Sequence, residues 1–122
     1  MNVVAQVFVV VAGLFHVAIF VMESLLFRKP STYQRFLVKD EAEMNVARPW
    51  AFNQGFYNLF LGAGALGGLI AGGDKGHAIA LFSCACMAGA GLVLVASDRR
   101  MLQAAATQAL PPLLALVLAA TL

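Results

Sequence analysis

Two residues in the first hydrophobic run, Val3 to Phe27, are of types that can move a proton: His16 and Glu23. They are seven positions apart, which places them on one face of a helix, roughly 10 Å apart along its axis at ~1.5 Å per residue. An imidazole can carry or pass a proton. A carboxyl group can sit as an anion or as a neutral donor. In a stretch otherwise made of hydrocarbon, an ionisable side chain points to a functional site and needs a partner.

Two later stretches supply neutral partners. The first is Asn53-Gln54-Gly55-Phe56-Tyr57-Asn58, in which Asn53 and Tyr57 are one helical turn apart, as are Gln54 and Asn58. The second holds Gln103, Thr107 and Gln108, followed by Pro111-Pro112, which remove backbone donors and are expected to kink a helix. Counted inward from Phe27, Trp50 and Met101, these groups and Glu23 fall within one or two helical turns of one another in depth, with His16 deeper. The expected site is a polar chamber in one half of a membrane. Glu23 and His16 are its candidate catalytic residues, and Asn53, Gln54, Tyr57, Asn58 and Gln108 its candidate ligand-binding residues. The competing reading is structural: amide hydrogen bonds that hold helices in register.

No metal or other cofactor is expected. His16, Glu23 and one cysteine have no local ligand spacing. Cys84 and Cys86 are two apart, so on a helix they point to nearly opposite sides. They can neither bridge each other nor form half of a zinc site, and they read as small packing residues.

The elements that must position these residues follow from hydropathy. The chain of 122 residues is 61% hydrophobic and 11% charged, against about 25% charged for a soluble domain. Four apolar runs, about 3–27, 50–72, 77–97 and 101–121, are each long enough to cross a ~30 Å hydrocarbon core and must then be helical. The links near Gly73–Gly76 and Ser97–Arg100 are short, which makes successive helices antiparallel neighbours. The predicted fold is all-α: one integral membrane domain over 1–122, an up-down-up-down four-helix bundle. The N-terminus lacks a basic region and a clear cleavage site, so the first run reads as a retained span.

Charge fixes the orientation. Outside residues 28–48 the charged residues are Glu23, Asp74, Lys75, Asp98, Arg99 and Arg100. Arg28, Lys29, Arg35, Lys39, Arg48, Arg99 and Arg100 share one side of a four-span chain, and Lys75 alone faces the other. The positive-inside rule then makes 28–48 a cytoplasmic polar segment, with both termini periplasmic or extracellular, in a bacterial inner membrane. With the charges gathered in 28–48, the net charge of +2 says nothing about nucleic acid; no basic stripe with interleaved aromatics is present, and no nucleic-acid partner is expected. Within 28–48, Tyr33, Phe36 and Leu37 have the spacing of a helical turn lying in the headgroup layer. Asp40 with Glu43 resembles a capping box, and Trp50 is placed as an interfacial anchor. The run 50–72 is rich in glycine, at 62, 64, 67, 68 and 72; Gly64 with Gly68, and Gly68 with Gly72, are spaced for close helix approach, either within the chain or in a homodimer through the glycine-rich face.

The combination of His16 and Glu23 in the first span, NQGFYN at 53–58, and Gln108 before Pro111 resembles a family of small four-helix membrane proteins. That family is catalogued as domain of unknown function thirteen-oh-four, and its members are sometimes labelled epimerases. The resemblance covers the whole chain. It implies four spans and a polar core at the residues named above, and supplies no established activity. Nothing in the chain resembles a nucleotide-binding fingerprint or a soluble sugar pocket.

Three functions are compatible with these residues. The first is a bundle in the lipid bilayer whose chamber binds a small or lipid-like molecule, with acid–base chemistry of the isomerase kind run by Glu23 and His16. The second is a small proton-coupled transporter or channel. The third is a structural or partner-binding membrane subunit that uses the glycine face.

Overall fold

The computed structural model describes residues 1–121, and all of its regular elements are helical. Helix α1 spans Val3–Phe20 and continues as a π turn, Val21–Leu25. A short helix α2, Pro30–Tyr33, runs into a 3₁₀ turn at Gln34–Phe36. Helix α3 spans Glu41–Ala71 and α4 spans Gly73–Ser97. A 3₁₀ turn at Arg99–Met101 leads into α5, Leu102–Thr121.

Three stretches are long and apolar enough to cross a membrane: Val3–Leu25, Gly73–Ser97 and Arg99–Thr121. The expected span at 50–72 differs from these. It is the later part of a 31-residue helix that starts at Glu41 and passes through Pro49. Asn53, Gln54 and Asn58 hold its hydropathy down. Pro49 cannot bond the carbonyl of Asn45, and it is tolerated in mid-helix where both positions are exposed. The start of α3 is capped as its sequence suggests: the Asp40 carboxylate accepts from the Glu43 N–H at 2.9 Å. The Glu43 carboxylate accepts in turn from the Lys39 N–H at 2.9 Å.

The chain forms two compact units. One comprises Met1–Phe15 and the chain from Leu61 onward; the other is His16–Phe60.

The first unit has a core of Val9, Ala12, Ala65, Ala80, Cys84, Met87 and Ala115, bordered by Phe8, Leu61, Leu69 and Leu116. Most of these residues are small, and small residues let helix backbones come close. The closest approach is between α3 and α4. A Cβ added at Gly68 would stand 2.5 Å from the Gly76 carbonyl oxygen and 2.7 Å from the Ala80 nitrogen. One added at Gly64 would collide with the Ser83 hydroxyl. The spaced pair Gly64 and Gly68 therefore faces α4, whereas a Cβ added at Gly67 would meet nothing within 4 Å. The turn between α3 and α4 is made by Gly72 and Gly73, with φ of +68° and +66°, a region L side chains avoid. The Asn2 side chain donates to the Leu118 carbonyl at 2.9 Å, and the Met1 amine lies 3.4 Å from His77 Nδ1. The start of α1 thus lies beside the start of α4 and the end of α5. Large apolar side chains point outward, Ile70 at 87% and Phe82 at 72% exposure, the reverse of the pattern in water.

The second unit has its own smaller core of Phe27, Tyr33 and Met44, flanked by Phe36, Val38, Ala47 and Ala51. The segment 28–48 is therefore folded back on the first turns of α3. Tyr33 is buried and Phe36 half-buried against this core, and Leu37 alone of the three is exposed. Leu37 closes the 3₁₀ turn in the left-handed conformation, with φ of 63°.

Candidate functional site

The candidate site lies within the second unit and begins with the π turn. The Leu26 N–H donates to the Val21 carbonyl at 2.9 Å, a bond one residue longer than in an α-helix. Such turns insert one residue, re-aim the side chains they carry, and recur at functional sites. Glu23 is the central residue of this one and is 8% exposed.

Helix α3 meets the π turn at three successive points. The Ser24 hydroxyl donates to the Phe52 carbonyl at 2.8 Å. Gly55 lies so close to Ser24 that an added Cβ would overlap its hydroxyl and stand 3.1 Å from its backbone nitrogen. One turn further along α3, the Asn58 side-chain amide donates to Glu23 Oε1 at 2.6 Å, and its nitrogen lies 3.3 Å from the Gln54 carbonyl oxygen. Asn58 is itself buried, at 9% exposure. The glycine gap lets the two backbones close until a short amide can reach the carboxylate. Edge-to-face packing of Phe20 on Phe56, with ring centroids 5.0 Å apart, fills the next layer.

This contact gives a packing prediction. Gly55→Ala forces the π turn away from α3, breaks the Ser24–Phe52 bond and draws Glu23 away from Asn58, at a cost of about 1–3 kcal/mol. Ser24→Ala in the same chain removes the overlapping hydroxyl and should return part of that loss. Thermal melts in detergent check it: a Gly55→Ala melt equal to wild type would mean that the approach is loose.

Of the other candidate residues, His16 is wholly buried on α1, seven positions before Glu23. Asn53, Gln54 and Tyr57 have exposed side chains, Tyr57 at 61%. The Gln54 backbone, and not its amide side chain, approaches Asn58. Gln108 belongs to the first unit and is half-buried. From the polar rows on α3 the structure thus brings one side chain, Asn58, onto the Glu23 carboxylate. The contributors that the sequence did not single out are Ser24, Gly55 and the π turn. A lone glycine inside a helical pattern is a sign of close backbone approach, so Gly55 carried a signal. Ser24 and the π turn carried none. Among the described residues no three of His, Cys, Asp and Glu stand where they could hold a metal ion.

A carboxylate held by a neutral amide between two helices can accept, release or share a proton without disturbing a counter-charge, because Asn58 has none. It can also bind a donor group of a ligand. No curated protein and no solved structure matches the chain at a significant level. One family profile does, over residues 10–120. The match takes in Glu23, the polar residues of α3 and the Pro111-Pro112 pair, which α5 carries inside one continuous helix; the chain belongs to the family described as "Protein of unknown function (DUF1304)".

Proposed function

We propose that the protein is an up-down-up-down four-helix bundle of the bacterial inner membrane, with both termini periplasmic. Its Glu23–Asn58 pair is the centre of a polar site for a small or lipid-like molecule. Glu23 is the proton carrier of that site, and the chemistry that suits it is acid–base, of the isomerase kind. His16, Asn53, Gln54 and Tyr57, all of the same unit, remain its further candidates.

The observation that carries this reading is the buried bond from Asn58 to Glu23 in a stretch apolar enough to cross a bilayer. A carboxyl group is a costly way to join two helices there, and a neutral amide would join them as well. The bundle topology is supported by the glycine turn between α3 and α4 and by the placement of Met1 near His77 and Asn2 near Leu118. A homodimer through the glycine face would seat on Gly67, which has nothing within 4 Å.

Labelling with dicyclohexylcarbodiimide in proteoliposomes tests the proton carrier, because this apolar reagent attacks protonated carboxyl groups. Glu23 is expected to carry the label, located by peptide mass spectrometry, with a rate that falls as pH rises. A Glu23 that stays unlabelled at every pH is sealed off and structural. Topology has its own test. A reporter active only in the periplasm is expected to work when fused at the C-terminus and to be silent within 30–45; a cytoplasmic C-terminus overturns the four-span arrangement.

A further inference from the structure

The second unit presents a surface that the Glu23 site does not use. Arg28, Lys29, Arg35, Lys39 and Arg48 are all exposed, and among the described residues none of them is in an ion pair. The nearby acids Asp40 and Glu43 are engaged in capping α3. The buried Phe27, Tyr33 and Met44 hold the segment as a folded platform, so these cations stand on a fixed base and not on a loose loop. Apolar groups lie exposed on the same unit: Leu25, Leu37, Val46 and, at 77%, Trp50. On α3 an open cleft of about 320 Å³ is lined by Arg48, Pro49 and Phe52. Its one charged lining residue is Arg48; Pro49 and Phe52 are hydrocarbon.

We propose that this cleft seats one anionic phospholipid, with its phosphodiester on Arg48 and its upper acyl chain against Pro49 and Phe52. A guanidinium matches phosphate with paired N–H donors, which an ammonium cannot do. The exposed cations of the same unit, Arg28, Lys29, Arg35 and Lys39, supply the complementary field for a negative headgroup. Trp50, two residues from Arg48, marks the level at which headgroup and hydrocarbon meet. A free phosphate would satisfy the guanidinium and leave Pro49 and Phe52 bare. A phospholipid occupies both parts of the cleft.

The experiment uses the full chain in detergent, titrated with phosphatidylglycerol or phosphatidylcholine of identical acyl chains and read by native mass spectrometry. The first phosphatidylglycerol is expected to bind about tenfold more tightly than phosphatidylcholine, whose choline cation competes with Arg48 for its own phosphodiester and is repelled by the guanidinium. Arg48→Gln should bring that ratio to about one, while Arg35→Gln, which is exposed but outside the cleft, changes it less than about twofold. Phe52→Ala should weaken both lipids together. Unchanged melting temperatures confirm that the variants fold. The proposal fails if Arg48→Gln keeps the preference, or if Arg48→Gln and Arg35→Gln lower it equally, as a diffuse field would. It also fails if soluble glycerol phosphate displaces the lipid as well as phosphatidylglycerol does, since the cleft would then read phosphate alone.

Discussion

Glu23→Gln folds and melts close to wild type, yet loses the pH dependence that protonation of the Glu23 carboxyl gives, read over about pH 5 to 9. Glutamine keeps an oxygen for the Asn58 amide to donate to. Exchanging a charge-assisted bond for a neutral one costs at most about 1–2 kcal/mol. What disappears is titration, because an amide exchanges no proton. Glu23→Leu behaves differently, since it leaves the Asn58 amide buried without its acceptor, at about 1–3 kcal/mol. Asn58→Leu should cost a similar amount, and the double variant less than the sum of the two. The measurement is melting temperature and carbodiimide labelling across that pH range for wild type and each variant. If Glu23→Gln reproduces the wild-type pH profile, Glu23 is interhelical glue.

Asp98 contributes nothing in that window. The Arg100 side chain and backbone both donate to its carboxylate and hold it below the usual carboxylate range. A depressed carboxyl gives stability that is complete above its unfolded value and is lost only as pH falls through its lowered folded value. Any difference between wild type and Glu23→Gln nearer neutrality therefore has another source.

Gly68→Leu is the substitution with the largest effect on stability, about 3 kcal/mol or more and a fall of about 10 °C or more in melting temperature. Its Cβ alone would meet the Gly76 carbonyl oxygen and the Ala80 nitrogen, at 2.5 and 2.7 Å. Both are backbone atoms, which cannot rotate aside, so α3 and α4 must separate. Gly67→Ala is the control. It lies one residue away, meets nothing within 4 Å, and trades a flexible residue for a better helix former. Wild-type stability or slightly better is expected for it. Equal losses at both positions would show that helix propensity, and not the approach of α3 to α4, sets the cost.

The long helices were legible because hydropathy over about 20 residues depends little on what surrounds it. Three of the four expected runs appear within a few residues of their predicted bounds. The fourth is the later part of a longer helix: the capping pattern of Asp40 and Glu43 marks its start, and α3 runs on through Pro49 and Trp50, with Met44, Ala47 and Ala51 packed against Phe27 and Tyr33. The Glu23 partner was legible only as a choice among several amides. Spacing put Asn58 in a row with Gln54, and the row does not say which member turns inward. Gly55 decides that, because the helices can close only where it leaves room. The π turn was not legible at all. Val21-Met22-Glu23-Ser24-Leu25 has no residue that demands a wider turn, and the conformation is set by what lies across from it.

The two-glycine turn between α3 and α4 bears on how the chain is made. In the four-span arrangement α3 is the poorest candidate to enter the bilayer alone, since Asn53, Gln54 and Asn58 all fall within its apolar part. Helix α4 follows after a single residue, Gly72, and the glycine contacts at Gly68 and Gly76 zip the two together at once. In that arrangement α3 partitions as half of a helical hairpin, with the hydrophobicity of α4 drawing its amides into the bilayer. Lengthening this turn would slow membrane integration during synthesis even where the finished protein tolerates the insertion.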